Sequence, residues 1–187
     1  MVKLESALKG NDMLDLKETL EGAAFGTTDG IICSLGTIIG AAAATESTSL
    51  AIIAGILAGV SNSFANGIGV YISQSAERGV QKSKAEEGEK IHVHSVRENV
   101  ISAVSSFTAT ITTSLTMVVP FAFLPISSAM VTSFAIGTLM LFILGGFTAK
   151  ISKENMLVHG IQYALLGVGG SVLGFLIGEQ LRVLLPA

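Results

Sequence analysis

The sequence predicts an all-α membrane protein with five transmembrane helices, a cytoplasmic N-terminus and an external C-terminus. Three observations predict this fold class: the composition, the number of long apolar segments, and the distribution of lysine and arginine. Half of the 187 residues are hydrophobic and only 13% are charged, whereas a soluble domain has roughly 25% charged residues. The composition therefore excludes an ordinary soluble protein and a disordered chain.

The charge and the cysteine count exclude further classes. The formal net charge is −3, so no basic surface is available for nucleic acid. Cys33 is the single cysteine, which excludes an intrachain disulfide and a cysteine-based zinc finger. The sequence contains no nucleophile–histidine–acid spacing and no phosphate-binding loop, so we do not expect an enzyme.

The first element is a predicted amphipathic helix within residues 1–22, on the cytoplasmic side of the first span. Between Asn11 and Gly22, the apolar residues Met13, Leu16 and Leu20 can share one helix face. We expect this helix to lie at the membrane surface and to continue into the first span.

Five segments contain the roughly 20 mainly apolar residues that a helix needs to cross the hydrocarbon core. They lack the alternation of apolar and polar residues that marks membrane β-strands. The first is not a signal peptide, because an acidic residue lies inside it. The predicted spans are Ala23–Ala44, Leu50–Ser73, Val100–Phe121, Ile126–Thr148 and Met156–Ile177.

The connecting segments predict the orientation. Residues 74–99 form a polar cytoplasmic linker that is too short for a separate domain, so residues 1–187 are expected to form one transmembrane domain. Of the 11 lysines and arginines, only Arg182 falls on the side of the C-terminus. Because lysine and arginine are enriched in cytoplasmic loops, this distribution places the N-terminus in the cytoplasm.

Glycines recur at a spacing of four residues in spans one, two and five. This spacing puts small residues on one helix face, so that two helix backbones can approach closely. The pattern allows two interpretations: packing within one subunit, or a face that binds a second copy. The glycines concerned are Gly22, Gly26, Gly30, Gly36, Gly40, Gly55, Gly59, Gly170, Gly174 and Gly178.

Asp29 is the residue that says most about function. It lies about two turns into span one, where a carboxylate costs on the order of 3 kcal/mol on insertion scales. Acids at such depth usually face a cavity, an ion path or a partner. The structural alternative is that Asp29 caps a helix end or accepts hydrogen bonds from Thr27 or Thr28.

Two asparagines in span two are candidates for the same site. Asn62 and Asn66 are one turn apart on one helix face. Their carbonyl oxygens can line a hydrated path or bind a cation, or the amides can instead form hydrogen bonds between helices. The many hydroxyl side chains of span three fall on every face, so most are expected to bond their own helix backbone.

The linker carries acidic residues and two histidines among its lysines. Carboxylates and imidazoles are ligands for divalent transition metals, but a solvated run of charges accounts for the same composition. His92 and His94 share a face only if that stretch is extended. His159 is expected to be structural, and Cys33 is either a packing residue or a soft ligand near Asp29.

Taken together, these residues resemble the vacuolar iron transporter (VIT)-like family of proton-coupled iron and manganese exporters. Span one, GAAFGTTDGIICSLGTIIGA, is similar to the family's G-x-x-D-G motif, and span two, GVSNSFANGIGVYISQS, is similar to its S-M-A-x-G-E-Y-x-S stretch. VVPFAFLP, LFILGGFTAKIS and HGIQYALLGVGGSVLGFLIG resemble the later helices in the same order. The resemblance covers nearly the whole chain and implies five helices and the same orientation.

The resemblance also implies roles for particular residues. Asp29 matches the family's intramembrane metal-path aspartate, and Glu18 matches an acidic residue at the cytoplasmic entrance of some members. Glu86 and Glu89 fall where the linker's first metal-binding glutamates lie in plant members.

The chain departs from the family pattern at two positions. Phe64 stands in place of a metal-path methionine, and Ile68 stands where many prokaryotic members have glutamate. The remainder of the plant-type metal-binding linker is absent, which indicates a divergent, short-linker branch.

The resemblance implies a homodimer in the cell membrane that exports Fe²⁺ or Mn²⁺ from the cytoplasm in exchange for protons, without a resident cofactor. Asp29 would bind the ion when ionised and carry a proton when neutral. Asn62 and Asn66 would supply neutral oxygens in place of the missing methionine. The alternatives are a transporter of another cation or small polar solute, and a non-transporting scaffold whose glycine faces bind a partner.

Overall fold

The computed structural model describes the backbone of residues 2–184 and the side chains of residues 16–184. Within residues 2–184, the chain forms five α-helices and no strand. Each helix is long and apolar enough to cross a membrane, which confirms the predicted all-α class with five membrane-spanning helices; the orientation of the two termini stays a prediction. The helices are α1 (Val2–Thr45), α2 (Thr48–Glu86), α3 (Val96–Phe123), α4 (Ile126–Ser152) and α5 (Met156–Leu184).

The helices extend beyond the predicted spans. The expected surface helix between Asn11 and Gly22 is part of the continuous helix α1, and the side chain of Met13 lies outside the described residues. α2 continues through Glu86, so that only residues 87–95 connect it to α3. The residues in this part of α2 include alanine, glutamate, lysine and glutamine, which are good helix formers in water.

Short polar signals set the helix ends. Ser47 caps α2 by accepting a hydrogen bond from the Leu50 amide at 3.4 Å. Ser95 and Glu98 form a reciprocal capping box at the start of α3. These caps satisfy amide groups that have no partner within the helix.

Contacts between the helices fix their directions. Gly22 packs on Ser102 and Gly30 packs on Thr110, so α1 and α3 run parallel. Gly36 packs on Gly170 and Gly40 packs on Gly174, so α5 runs parallel to α1 and α3, and α2 and α4 run in the opposite direction. The α2–α3 and α4–α5 connections therefore lie at the same end of the bundle as the beginning of α1, and we call this end the linker end.

The glycine stripes of α1 are packed within the subunit. A Cβ added at Gly26 would overlap the carbonyl oxygen of Ser106 on α3, and a Cβ added at Gly174 would overlap the carbonyl oxygen of Gly36. The first of the two sequence interpretations therefore holds for these stripes: they bring α3 and α5 against α1. Close approach of this kind requires residues without a side chain.

The apolar core occupies the half of the bundle away from the linker end. It is built from large side chains of α1, α3 and α4 that are almost fully buried: Ile31, Leu35, Ile38, Met117, Phe121 and Leu141. Toward the linker end, the buried side chains on α3 are polar except for Ala103: Glu98, Asn99, Ser102, Ser106 and Thr110. The candidate site lies in this polar half.

Candidate functional site

Asp29 lies against the two predicted asparagines. Oδ2 of Asp29 accepts hydrogen bonds from Nδ2 of Asn62 at 2.5 Å and from Nδ2 of Asn66 at 2.7 Å. The side-chain amides thus present nitrogen to the carboxylate, and their carbonyl oxygens would face a bound ion only after the amides rotate. The structure brings together all three residues that the sequence predicted for the centre of the site.

A threonine of α3 completes this cluster. Nδ2 of Asn66 also donates to Oγ1 of Thr110 at 3.0 Å. The Thr110 hydroxyl in turn lies 2.8 Å from the carbonyl oxygen of Ser106 and 3.1 Å from that of Gly26. Sequence analysis did not identify Thr110, because hydroxyls on every face of α3 concealed the one that faces α1 and α2.

Asp29 has no charged partner among the described side chains of residues 16–184. The structural alternative involving Thr28 is not found, because its hydroxyl donates to the carbonyl oxygen of Ala24 at 2.9 Å. The Asp29 side chain is half-buried. Neutral amides thus hold the Asp29 carboxylate on one side. The rest of its surface is exposed at the outside of the subunit.

Glu18 forms a second polar cluster nearer the linker end. Its side chain is 1% exposed. Oε2 accepts a hydrogen bond from Nε2 of Gln74 at 3.0 Å, and Oε1 lies 3.8 Å from Nε2 of His94. Eleven residues separate Glu18 from Asp29, so the two acids lie on the same face of α1, about 16 Å apart along the helix axis.

An open cavity lies along α1 between the levels of these two clusters. Its volume is about 250 Å³. Gly22 and Phe25 of α1, Val70 and Gln74 of α2 and Ser102 of α3 contribute to its walls. The cavity has room for water, and Gln74, the hydrogen-bond partner of Glu18, lies in its wall.

The hydroxyls of α3 follow the sequence expectation in part. Thr108 and Thr116 donate to carbonyl oxygens of their own helix at 2.8 Å. Ser105, however, donates to the carbonyl oxygen of Thr19 at 2.7 Å, and Ser114 donates to that of Gly30 at 3.4 Å. Some hydroxyls therefore tie α3 to α1.

Glu86 and Glu89 lie apart from these clusters. Both side chains are exposed, at the end of α2 and in the connection that follows. Among the described residues, the one group of side chains that could hold a metal ion is His92, His94 and Glu98, whose donor atoms lie within 4.8 Å of one another. Sequence analysis counted Glu98 among the acidic residues of the linker but did not single it out with the two histidines.

Two comparisons with known proteins find similar sequences. The VIT family matches residues 20–99 and 84–179 of the chain. An uncharacterized protein of Methanocaldococcus jannaschii is 32% identical over 163 residues, which cover 81% of this chain and 84% of the relative.

Proposed function

Because the chain belongs to the VIT family of membrane transporters of metal ions, we propose that it exports Fe²⁺ or Mn²⁺ from the cytoplasm in exchange for protons. The family membership and the five apolar helices make the chain a multi-pass membrane protein. The cell membrane, the direction of transport, the ion and the proton coupling belong to the proposal. We also propose that the protein has no resident cofactor and that it acts in transport rather than in catalysis.

The observation that carries the proposal is the environment of Asp29. A permanent lysine or arginine partner would neutralise this carboxylate and block it. The amides of Asn62 and Asn66 instead stabilise it by hydrogen bonds without supplying a positive charge. An ionised carboxylate with only neutral partners in a membrane favours an exchangeable cation, either a metal ion or a proton.

The two residue types supply different parts of the exchange. Asp29 binds the metal ion when ionised and releases it on taking up a proton from the outside. Asn62 and Asn66 hold the carboxylate by their amide nitrogens in the empty state. When the amides rotate, they offer carbonyl oxygens, which bind Fe²⁺ and Mn²⁺ as neutral ligands.

Acidic residues at the linker end would guide the ion from the cytoplasm toward Asp29. Glu86 and Glu89 are exposed and raise the local cation concentration without forming a cage. Glu18 is buried three turns before Asp29 on the same face and would receive the ion next. The orientation that makes this end cytoplasmic is the one that the lysine and arginine distribution predicts.

A homodimer would cover the outward side of the Asp29 cluster. Asp29 and Asn62 are only half-buried, and Ser61 is exposed on the same part of α2. Polar groups in a membrane span are unfavourable in contact with lipid. The outward face of α5, in contrast, is apolar at Leu165 and Leu173, as expected for a lipid-facing surface.

Crosslinking tests this dimer. With Cys33 replaced by alanine, a Ser61→Cys protein oxidised in native membranes is expected to form a disulfide-linked dimer. The control is Leu165→Cys. The Leu165 side chain is 62% exposed in the single subunit, and this variant is expected to stay monomeric. Crosslinking at Leu165 but not at Ser61 would place the interface on α5 and contradict the proposed arrangement.

The other two sequence interpretations have less support. A scaffold that binds a partner through its glycine faces would leave those faces free, but the α1 stripes are occupied by α3 and α5. A transporter of a neutral polar solute would not need an acid held by two neutral amides, whereas a transporter of another cation would, and that alternative differs from the proposal in the ion that drives flux. Reconstitution in proteoliposomes decides between them: Fe²⁺ or Mn²⁺ flux should follow an imposed pH gradient, and flux indifferent to that gradient contradicts proton exchange.

A further inference from the structure

We infer that His92, His94 and Glu98 form a binding site for a divalent transition-metal ion at the linker end, separate from the Asp29 cluster. The inference depends on the proposed function only for the identity of the ion. The two imidazoles and the carboxylate bring their donor atoms within 4.8 Å of one another. Nε2 of His92 already lies 3.0 Å from Oε2 of Glu98, a spacing that two ligands of one ion can have.

The backbone that carries these ligands is held in place before any ion binds. The amide of His94 donates to Oε1 of Gln81 at 2.9 Å, and its carbonyl oxygen accepts from Nε of Arg78 at 2.7 Å. The capping box with Ser95 fixes Glu98 on the first turn of α3. Preorganised ligands lower the ordering cost of binding.

His94 carries the second line of evidence. Its side chain is 11% exposed, and its Nδ1 is buried without a hydrogen-bond partner among the described residues. A buried polar atom without a partner is unfavourable, and a metal ion bound through this nitrogen would remove that cost. The His94 ring also lies beside Glu18, the buried acid of α1.

The remaining ligands can adjust to an ion. The His92 side chain is 49% exposed, so the ring can rotate and bring its nitrogen into coordination distance of an ion. The described contacts of Glu98 all involve Oε2, which leaves Oε1 as a further acceptor. Ser95 can therefore keep its capping bond while the carboxylate binds a metal ion.

The donor set defines the class of ion. Imidazole nitrogens suit Fe²⁺, Co²⁺, Ni²⁺, Cu²⁺ and Zn²⁺, whereas Mg²⁺ and Ca²⁺ prefer sites made only of oxygen. Three protein ligands leave coordination positions for water, as in sites that exchange their ligands. With Glu18 in contact with His94, such a site would hold the ion at the beginning of the route toward Asp29.

A Co²⁺ titration of purified protein tests the inference. The titration uses the Asp29→Asn protein in detergent, so that the central site does not contribute, and follows the visible absorption of bound Co²⁺. We expect one site with nitrogen ligation, and we expect His92→Ala in the same background to weaken Co²⁺ binding by about ten-fold or more. An unchanged dissociation constant in His92→Ala would overturn the inference.

Matched controls separate coordination from general electrostatics. His159 pairs with Glu154 at 2.6 Å and lies outside the cluster, so His159→Ala should leave Co²⁺ binding unchanged. Glu86→Gln combined with Glu89→Gln removes two exposed charges, and a loss of binding as large as that in His92→Ala would also overturn the inference. Because His94 is buried, His94→Gln provides a second variant that keeps a polar side chain, and it should weaken binding as well.

The outcome is independent of transport. Metal flux in proteoliposomes of the unaltered protein tests the proposed function, whereas Co²⁺ binding by the Asp29→Asn protein does not require flux. Proton-coupled flux without a histidine-dependent Co²⁺ site contradicts the inference alone. A histidine-dependent site without flux contradicts the proposed function alone.

Discussion

Replacement of Asp29 by asparagine is expected to abolish proton-coupled metal flux while leaving the folded protein intact. Asparagine keeps the shape of the side chain, and its carbonyl oxygen can still accept a hydrogen bond from Asn62 or Asn66. It cannot carry the negative charge that binds the ion or take up the exchanged proton. Truncating one partner of a desolvated charge pair typically costs about 3 kcal/mol of binding free energy, which corresponds to a loss of roughly 100-fold in flux at low metal concentration.

The measurement is Fe²⁺ or Mn²⁺ flux in proteoliposomes with an imposed pH gradient, with folding checked by size-exclusion elution in detergent. Asn66→Ala is the matched comparison, because it removes the neutral neighbour that contacts Asp29 and Thr110 and keeps the carboxylate. We expect it to reduce flux by about ten-fold, in proportion to the loss of a hydrogen bond to a charged group. Full proton-coupled flux in Asp29→Asn would exclude the proposed role and favour a purely structural Asp29.

The sequence was sufficient to predict the helices because apolar segments of this length have few alternatives in lipid. It was less informative about where the helices end. Hydropathy falls near Ser73, but α2 continues to Glu86. Residues beyond the apolar segment can remain helical when their intrinsic helix propensity is high. The apolar signal therefore locates the membrane, whereas capping residues such as Ser95 locate the helix start.

The two polar clusters differ in how far the sequence could predict them. The four-residue spacing of Asn62 and Asn66 placed them on one face of α2, and the depth of Asp29 in span one marked it as unusual. The contact between Asp29 and the two asparagines could therefore be proposed from the sequence. The cluster at the linker end could not, because His92 and His94 lie in a run of charges that is typical of a solvated segment. Only the packing of that segment against α1 buries His94 beside Glu18, and no local pattern encodes that contact.

The glycine stripes illustrate the same limit. A spacing of four residues predicts a close approach of two backbones, but it does not identify the partner helix. The structure assigns Gly22, Gly26 and Gly30 to α3, and Gly40 to α5. The stripe facing α3 also positions Thr110 beside Asn66, so helix packing and the candidate site are coupled.

A second large effect is expected from Gly26→Ala, which should destabilise the folded bundle. The new methyl group would overlap the carbonyl oxygen of Ser106 and would lie 2.9 Å from Oγ1 of Thr110. A backbone carbonyl cannot move aside as a flexible side chain can, so α1 and α3 must separate. Overpacking of a closely packed contact costs about 3 kcal/mol, which should appear as a lower midpoint of unfolding in detergent.

Gly169→Ala is the matched control for this prediction, because a Cβ added at Gly169 meets no atom within 4 Å. Both substitutions add one methyl group to a helix in a membrane span, and the intrinsic helix propensity changes by the same amount, about 1 kcal/mol in favour of alanine. The difference between the two variants therefore isolates the contact between α1 and α3. If Gly26→Ala unfolds at the same midpoint as Gly169→Ala, the close approach of these two helices is incorrect, and the position of Thr110 beside Asn66 loses its structural basis.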